Sequence, residues 1–280
     1  MKVSELNNLF YQRPDTSYIM GILNLDPESF FKNSIVTKPE EALHRVERMI
    51  EDGMDILDIG AFSSRPGMKI PSYEEERRRI MPILKAIGKS FQNLIISVDT
   101  MRADIAREAI ESGVEIINDI SAGNFDSQLP KVVGENKKVY IAMHMKGLPE
   151  NMMNSENTNY ANVLNEIVSF FSEKIKCFHE AGLNKIIIDP GFGFSKTIAD
   201  NYSILNKLNL LEILDKPILI GLSRKSMIWK TINQNSNDAL IGSLVAEFYA
   251  VLKGCNIVRV HDVKETKEML TIFKAINRLN

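Results

Sequence analysis

Eight short apolar runs punctuate the chain at intervals too long for hairpins: YIMGILN, DILDIG, LIISVD, VEIINDI, KVYIAMH, KIIIDP, PILIGLS and NIVRVHD. Each has strand length. Each is also almost continuously apolar, the pattern of parallel strands covered on both faces. The segments between them are helix-like and long enough for the crossovers that parallel strands need. Four of those segments end alike. EDGMDI, ESGVEI, EAGLNKI and LKGCNI put Gly53, Gly113, Gly182 and Gly254 between the helical stretch and the next strand, where a left-handed glycine closes a helix without strain. Strand, loop and helix repeated in this way predict a single (β/α)8 TIM barrel, with a doubly wound open sheet as the alternative. A length of 280 residues suits one such barrel. No linker or composition shift divides it, so 1–17 read as a short N-terminal leader and 18–280 as one domain.

In a barrel, the carboxyl ends of the strands carry the chemistry, and a phosphate site commonly lies beside the last two. The polar residues of this chain fall at those ends. Asn24 closes the first run, Asp58 sits in the second and Asp99 closes the third. Asn118 and Asp119 end the fourth, His144 the fifth and Asp189 the sixth. Ser223, Arg224 and Lys225 come at the seventh, and Arg259 and His261 in the eighth. Arg259 and His261 alternate with Val258 and Val260, so both point to one face of their strand. Such groups are costly on a buried strand unless an anion meets them.

The formal net charge is only -2. No global basic field points to nucleic acid or to an anionic membrane, and any anion site is local. Lys225 offers a compact charge, Arg259 a planar fork and His261 a further donor for phosphate oxygens. The competing interpretation pairs each with a carboxylate at the barrel rim. Across the mouth, Asp99, Asn118 and Asp189 suit a flat heterocycle rich in N–H donors and ring acceptors, although strand-end carboxylates also serve as acid–base groups or metal ligands. The expected basin is positive on one rim and hydrogen-bond-accepting across from it.

The remaining candidates have plainer expectations. Asp58 and Asp119 read as supporting partners, His144 as a structural histidine among packing methionines, and Trp229 as packing. His44 and His179 read as surface or packing residues on helices. Cys177 and Cys255 form no ligand-spaced pair and read as buried or partly buried thiols. Gly191 and Gly193 permit close backbone approach, while Ser64 and Arg65, ahead of Pro66, can reach a ligand from a mobile lid. Ser72 reads as a helix cap. No stretch of about 18 apolar residues and no signal-like amino terminus occurs, which predicts a soluble cytoplasmic protein.

In order along the chain, MGILN, DILDIG, SSRPG, SVDT, IINDIS, MHMKG, IIIDPGFGF, GLSRKS and RVHD resemble the motifs of the dihydropteroate synthases, over nearly everything from Ile19 onward. The resemblance implies a pterin-binding TIM barrel of folate biosynthesis. It would join 6-hydroxymethyl-7,8-dihydropterin diphosphate to 4-aminobenzoate, releasing diphosphate with Mg2+ assistance. It implies that Asp99, Asn118, Asp189 and Lys225 hold the pterin, with Met143 packed on it. Asn24 would bind Mg2+ and diphosphate, Ser64, Arg259 and His261 would hold diphosphate oxygens, and Arg65 and Phe194 would lie near the aminobenzoate. It further implies a sulfonamide target that dimerises through late helices such as ALIGSLVAEFYAVLKG.

The chain departs from that pattern in two loops. The first reads NLDPESFFKNS where Asn-Val-Thr-Pro-Asp-Ser-Phe-Ser-Asp-Gly-Gly is usual, so Asp26 replaces a threonine and Glu28 an aspartate, and Lys32, Asn33 and Ser34 replace an acidic, glycine-rich turn. The second reads GAFSSRPG against Gly-Gly-Glu-Ser-Thr-Arg-Pro-Gly, with Phe62 for a carboxylate and Ser64 for a threonine. Both changes fall on the aminobenzoate side. They motivate one alternative, a pterin-binding paralogue with lost or altered catalysis. The other, a pterin-dependent methyltransferase domain, would need no diphosphate site.

Overall fold

The computed structural model describes residues 3–10, 17–26 and 38–277, with the backbone alone for 3–5. The loop-one positions Glu28, Lys32, Asn33 and Ser34 lie outside the described residues. Every predicted run contains a strand: β1 (Tyr18–Asn24), β2 (Ile56–Gly60), β3 (Ile95–Asp99), β4 (Ile116–Asp119), β5 (Val139–Met143), β6 (Ile186–Asp189), β7 (Leu219–Ile220) and β8 (Ile257–Val260). All pairings are parallel, in the order β6-β5-β4-β3-β2-β1-β8-β7. A bridge between Ile188 and Ile218, with the Ile188 amide donating to the Pro217 carbonyl at 2.9 Å, joins the β6 and β7 edges. Neighbours in sequence are neighbours in space, with no reversal of order, so the barrel reading holds and the doubly wound sheet is excluded.

The helices are α1 (Val3–Asn8), α2 (Pro39–Glu51), α3 (Tyr73–Ser90), α4 (Ala103–Glu111), α5 (Leu129–Glu135), α6 (Val163–Glu180), α7 (Ile198–Asn206), α8 (Ser226–Thr231), α9 (Leu240–Leu252) and α10 (Val263–Asn277). The glycines after α2, α4, α6 and α9 have φ of 95°, 95°, 80° and 91°. In each case the next residue's amide donates back across the turn, as from Met54 to the Met49 carbonyl at 2.9 Å, which satisfies a carbonyl the helix leaves open. The end of α5 makes the same bond, Lys138 to Val133, with Lys137 at φ 56°. A lysine there carries no sequence signal for the turn. Ser72 caps α3 as expected, its Oγ accepting from the Glu75 amide at 3.2 Å.

Alternation along the strands splits the core. Met20, Ile56, Ile95, Ile116, Val139, Ile187, Leu219 and Ile257 form one cluster, which Leu6 and Leu9 of the leader segment join. The intervening residues, among them Ile19, Leu57, Ile96, Ile117 and Val258, pack in the larger cluster beneath the helices. The inner set is apolar at the amino ends and polar two residues further on, where Asp58, Ser97, Asn118, Asp189 and Arg259 follow it. Arg259 and His261 share the inward face with Ile257, while Val258 and Val260 belong to the outer layer. A strand that looks doubly apolar is therefore two different surfaces.

Asp119, on the outward face, accepts from the Ser121 amide and hydroxyl, the Gly123 amide and the Tyr140 hydroxyl, which is the supporting role expected of it. His44 and His179 are exposed, and Trp229 packs half-buried against the outer core. Cys255 is buried, and burial pushes its thiol up. Cys177 contradicts its expectation. It is exposed on α6, away from the buried Phe171 and Phe178, because helix phase and not thiol chemistry chooses the face. Among the described residues no helix is long and apolar enough to cross a membrane.

Phe171 is fully buried and meets Phe170 edge-on at 5.2 Å. Replacing it with alanine leaves a cavity between α6 and the barrel and should cost about 3–5 kcal/mol in urea unfolding. A loss below about 1 kcal/mol would mean the outer layer collapses into the gap.

Candidate active site

One pocket at the carboxyl ends of the strands gathers most of the expected residues. Asp99, Asn118, Met143 and Asp189 line it from β3, β4, β5 and β6, and Arg259 and His261 from β8 and its exit. Ser64, Phe194, Ser223 and Lys225 complete the wall from the loops after β2, β6 and β7, with Ile22 and Ile120 as apolar members. Register explains the convergence: Asp99 pairs with Gly60 and Asn118, and Asp189 with Met143, so the tips stand level around the ring. A wider open groove lies outside the barrel between α3 and α4, but its carboxylate, Glu108, is already held by Arg77 and Tyr73.

The two rims are not segregated by charge, contrary to the sequence-based expectation. Arg259 Nε donates to Asp58 Oδ2 at 2.6 Å and Nη2 to Asp99 Oδ2 at 3.2 Å. Asp58 Oδ2 also accepts from Asn118 Nδ2 at 3.2 Å. The carboxylates therefore meet the cation that their strands bring round the ring, because an unpaired buried charge costs more than a paired one. Burial pushes the Asp99 carboxyl up, and the adjacent guanidinium pulls it back. Asp58 thus has the supporting role expected of it, fixing both Arg259 and Asn118.

Lys225 lies beside Asp189 in the pocket wall, partly buried, and desolvation lowers its amine to about 8. Its Nζ donates to the Phe192 carbonyl and lies 4.6 Å from the Phe194 ring centroid. Asp189 is raised by burial and lowered by Lys225, and its Oδ1 accepts from the Gly191 amide at 2.7 Å. Gly191 sits at φ 71°, where a Cβ would fall 2.1 Å from the His144 carbonyl oxygen, so the close approach expected of this glycine is real. Sequence reasoning missed Lys196. Its buried Nζ donates to the carbonyls of His144, Gly191 and Phe194 at 3.1, 3.0 and 2.9 Å, pinning the loop after β6 to the end of β5. Burial lowers this amine to about 7. A loop lysine reads as solvated until the fold encloses it.

His261 is driven down to about 3 by burial and by Arg259 beside it, so it is neutral at ordinary pH and serves as a dipolar partner, not a cation. Its Nδ1 lies 3.3 Å from Ser223 Oγ. Arg224 faces away from the pocket wall, bonded through Nε and Nη2 to Asp262 at 2.9 and 2.8 Å. His144 is buried edge-on to Phe170 at 4.9 Å, the structural role expected of it, and burial lowers it to about 2. Asn24 and Arg65 are not part of the wall. Asn24 ends β1 next to Gly60, where a Cβ would lie 3.7 Å from Asn24 Oδ1 and 3.5 Å from Asp99 Cβ, ordinary contact distances. Arg65 Nε donates to Ser63 Oγ at 2.8 Å.

A family model described as "Pterin binding enzyme" matches residues 20–261. The chain is 38% identical over 260 residues to the dihydropteroate synthase of Escherichia coli strain K12, covering 92% of this chain and 91% of that one. The Yersinia pestis dihydropteroate synthase solved with a sulfonamide drug superposes with a TM-score of 0.89 at 35% identity, covering 95% of each chain. The Xanthomonas albilineans dihydropteroate synthase solved with 4-aminobenzoic acid gives 0.84 at 34% identity over 94% of each.

Removing Arg259 leaves Asp58 and Asp99 buried without their shared cation. Arg259→Ala should cost about 3–5 kcal/mol of folding stability near pH 8. With the guanidinium's lowering influence gone, folded Asp99 binds its proton more tightly than the unfolded carboxyl does, so the deficit should shrink as pH falls toward about 5.5. Urea unfolding at both pH values checks this; a deficit that grows on acidification would contradict it.

Proposed function

Because the chain belongs to the pterin binding enzyme family, we propose that its barrel mouth condenses 6-hydroxymethyl-7,8-dihydropterin diphosphate with 4-aminobenzoate, yielding 7,8-dihydropteroate and diphosphate. The observation that carries this reading is the contact between Arg259 and Asp99 within one pocket. It puts hydrogen-bond acceptors for a heterocycle and a fixed cation for its diphosphate in the wall of one small-molecule pocket. The enzymes named above, one with a sulfonamide drug and one with 4-aminobenzoic acid, support it.

Asp99, Asn118 and Asp189 bind the pterin edge, Met143 packs on its ring, and Lys225 spends one donor on the Phe192 carbonyl and turns its others to substrate. Arg259 uses two of its N–H groups on Asp58 and Asp99 and keeps the rest of its fork for diphosphate oxygens, which His261 and Ser64 also meet. As the methylene–oxygen bond lengthens, negative charge gathers on the departing diphosphate and positive charge spreads over the pterin methylene. Lys225 and Arg259 stabilise the first and Asp99 the second, more strongly in the transition state than in the ground state. The arylamine, held near Phe194 and Arg65, then attacks the electron-poor carbon. No protein nucleophile is required.

Mg2+ favours oxygen donors, and it commonly takes one or two from the protein and the rest from substrate phosphates and water. The residues fit that habit. Asn24 brings an amide oxygen to the carboxyl end of β1, across Gly60 from the Asp99 carboxylate. Asn24 would hold the ion together with the diphosphate, and the ion would supply charge neutralisation for the leaving group. The enzyme acts as a homodimer in this proposal. On α9, Ile241, Val245 and Leu252 are 76%, 65% and 56% exposed, and on α10 Ile272 and Ile276 are 60% and 52%. Apolar stripes of this kind mark association faces.

An assay of purified protein with both substrates and Mg2+ tests the reaction; pterin binding with no diphosphate release would overturn it. Lys225→Ala and Arg259→Ala should each lose about 2–5 kcal/mol of transition-state stabilisation. Activity should fall as pH rises through about 8, where Lys225 gives up its proton, and Lys225→Arg should push that limb upward because a guanidinium stays charged. A limb unmoved by the substitution would assign it to another group. Light scattering should give twice the chain mass for the native protein and the single mass for Ile241→Glu with Val245→Glu. A monomeric native protein removes the dimer.

A further inference from the structure

The lid expected to be mobile is tethered along its length. Arg79 Nη1 donates to the Ala61 carbonyl at 2.8 Å, and the Ser63 amide donates to Asp26 Oδ2 at 2.9 Å. Further on, the Gly67 amide donates to the Pro149 carbonyl at 2.9 Å and the Ile70 amide to the Glu150 carboxylate at 3.4 Å. Asp26 links two of these tethers. It is 4% exposed, two residues past the end of β1, and its Oδ1 lies 3.4 Å from Arg79 Nη1. Arg79 is bonded through Nη2 to Glu75 at 2.5 Å and so enters this corner from α3.

The sequence departures now form a set. A carboxylate is gained at position 26, where the family pattern has threonine, and one is lost at position 62, where the pattern has glutamate. Phe62 is 8% exposed and belongs to the outer core, so it supplies no charge. A threonine hydroxyl at 26 could accept from N–H donors but could not balance the charge of a guanidinium, whereas a carboxylate does both, and charge-assisted bonds are about twice as strong as neutral ones.

We propose that Asp26 is a positioning residue for the arylamine side, having taken over from position 62 the carboxylate that meets Arg79 and the second loop. It holds Ser63, and through it the adjoining Ser64 of the pocket wall and Arg65, whose Nε rests on Ser63 Oγ. The pterin ring side does not depend on it, because Asp99, Asn118 and Asp189 come from other strands and Lys225 from the loop after β7. The proposal rests on the reaction above for its kinetic consequence but not for its structural one.

Asp26→Thr and the double variant Asp26→Thr with Phe62→Glu test it. The single change should raise the Michaelis constant for 4-aminobenzoate about tenfold while the dissociation constant for 6-hydroxymethyl-7,8-dihydropterin, which lacks the diphosphate that Ser64 meets, stays within about twofold. Without any substrate, it should also speed hydrogen exchange in residues 61–70. The double variant should reverse both effects. Unchanged exchange with an unchanged arylamine constant would overturn the brace, as would an equal loss on both ligands; a double variant no better than the single would overturn the exchange of carboxylates. A native protein that forms no dihydropteroate would sink the reaction alone, since exchange still judges the brace.

Discussion

A single guanidinium organises the barrel mouth. Arg259 reaches inward from β8 to Asp58 on β2 and Asp99 on β3, and Asp58 in turn holds Asn118 on β4. Four strands are thereby tied by one charge network placed where the inner core stops being apolar. Such a network is expensive to assemble and more expensive to break, because each member is desolvated and any orphan bears the full penalty. The same expense makes it useful. Polar groups clamped in place before a substrate arrives need no reorganisation when charge develops on it.

The loops around this network follow the same economy of satisfied polar groups. Lys196 collects three carbonyls of the segment between β5 and α7, and that segment presents Phe192 and Phe194 to Lys225. Arg224 leaves the pocket to close the exit of β8 against Asp262. Two adjacent cations in SRK thus face different ways, Lys225 toward the pocket and Arg224 toward Asp262. Backbone direction separates them: Arg224 has φ 57° and its side chain goes outward, while Lys225 leads into α8.

Much of the architecture was legible before any coordinates. Length, run spacing and the four glycine turns led to eight parallel strands, and the i, i+2 logic of NIVRVHD put Arg259 and His261 on the inner face. The site residues that the strands themselves carry, Asp99, Asn118, Met143, Asp189 and Arg259, came together as expected. Residues read from loops fared less evenly: Ser64 reached the wall while Arg65 did not, and the exposed face of Cys177 was misjudged. Strand periodicity transmits position over many residues, whereas loop geometry depends on bonds to partners that are distant in sequence, such as Gly67 to Pro149.

The repeating pattern, the faces of the strands and the inventory of charges at their carboxyl ends are properties of the chain alone, because they follow from local periodicity and chain chemistry. Which groups pair with which is settled on closing the barrel. Closure set Arg259 between two carboxylates instead of opposite them, made His261 neutral, and buried Lys196 and Asp26. Ion pairing and desolvation depend on distances across the closed ring, which come into being only when the ends of the sheet meet.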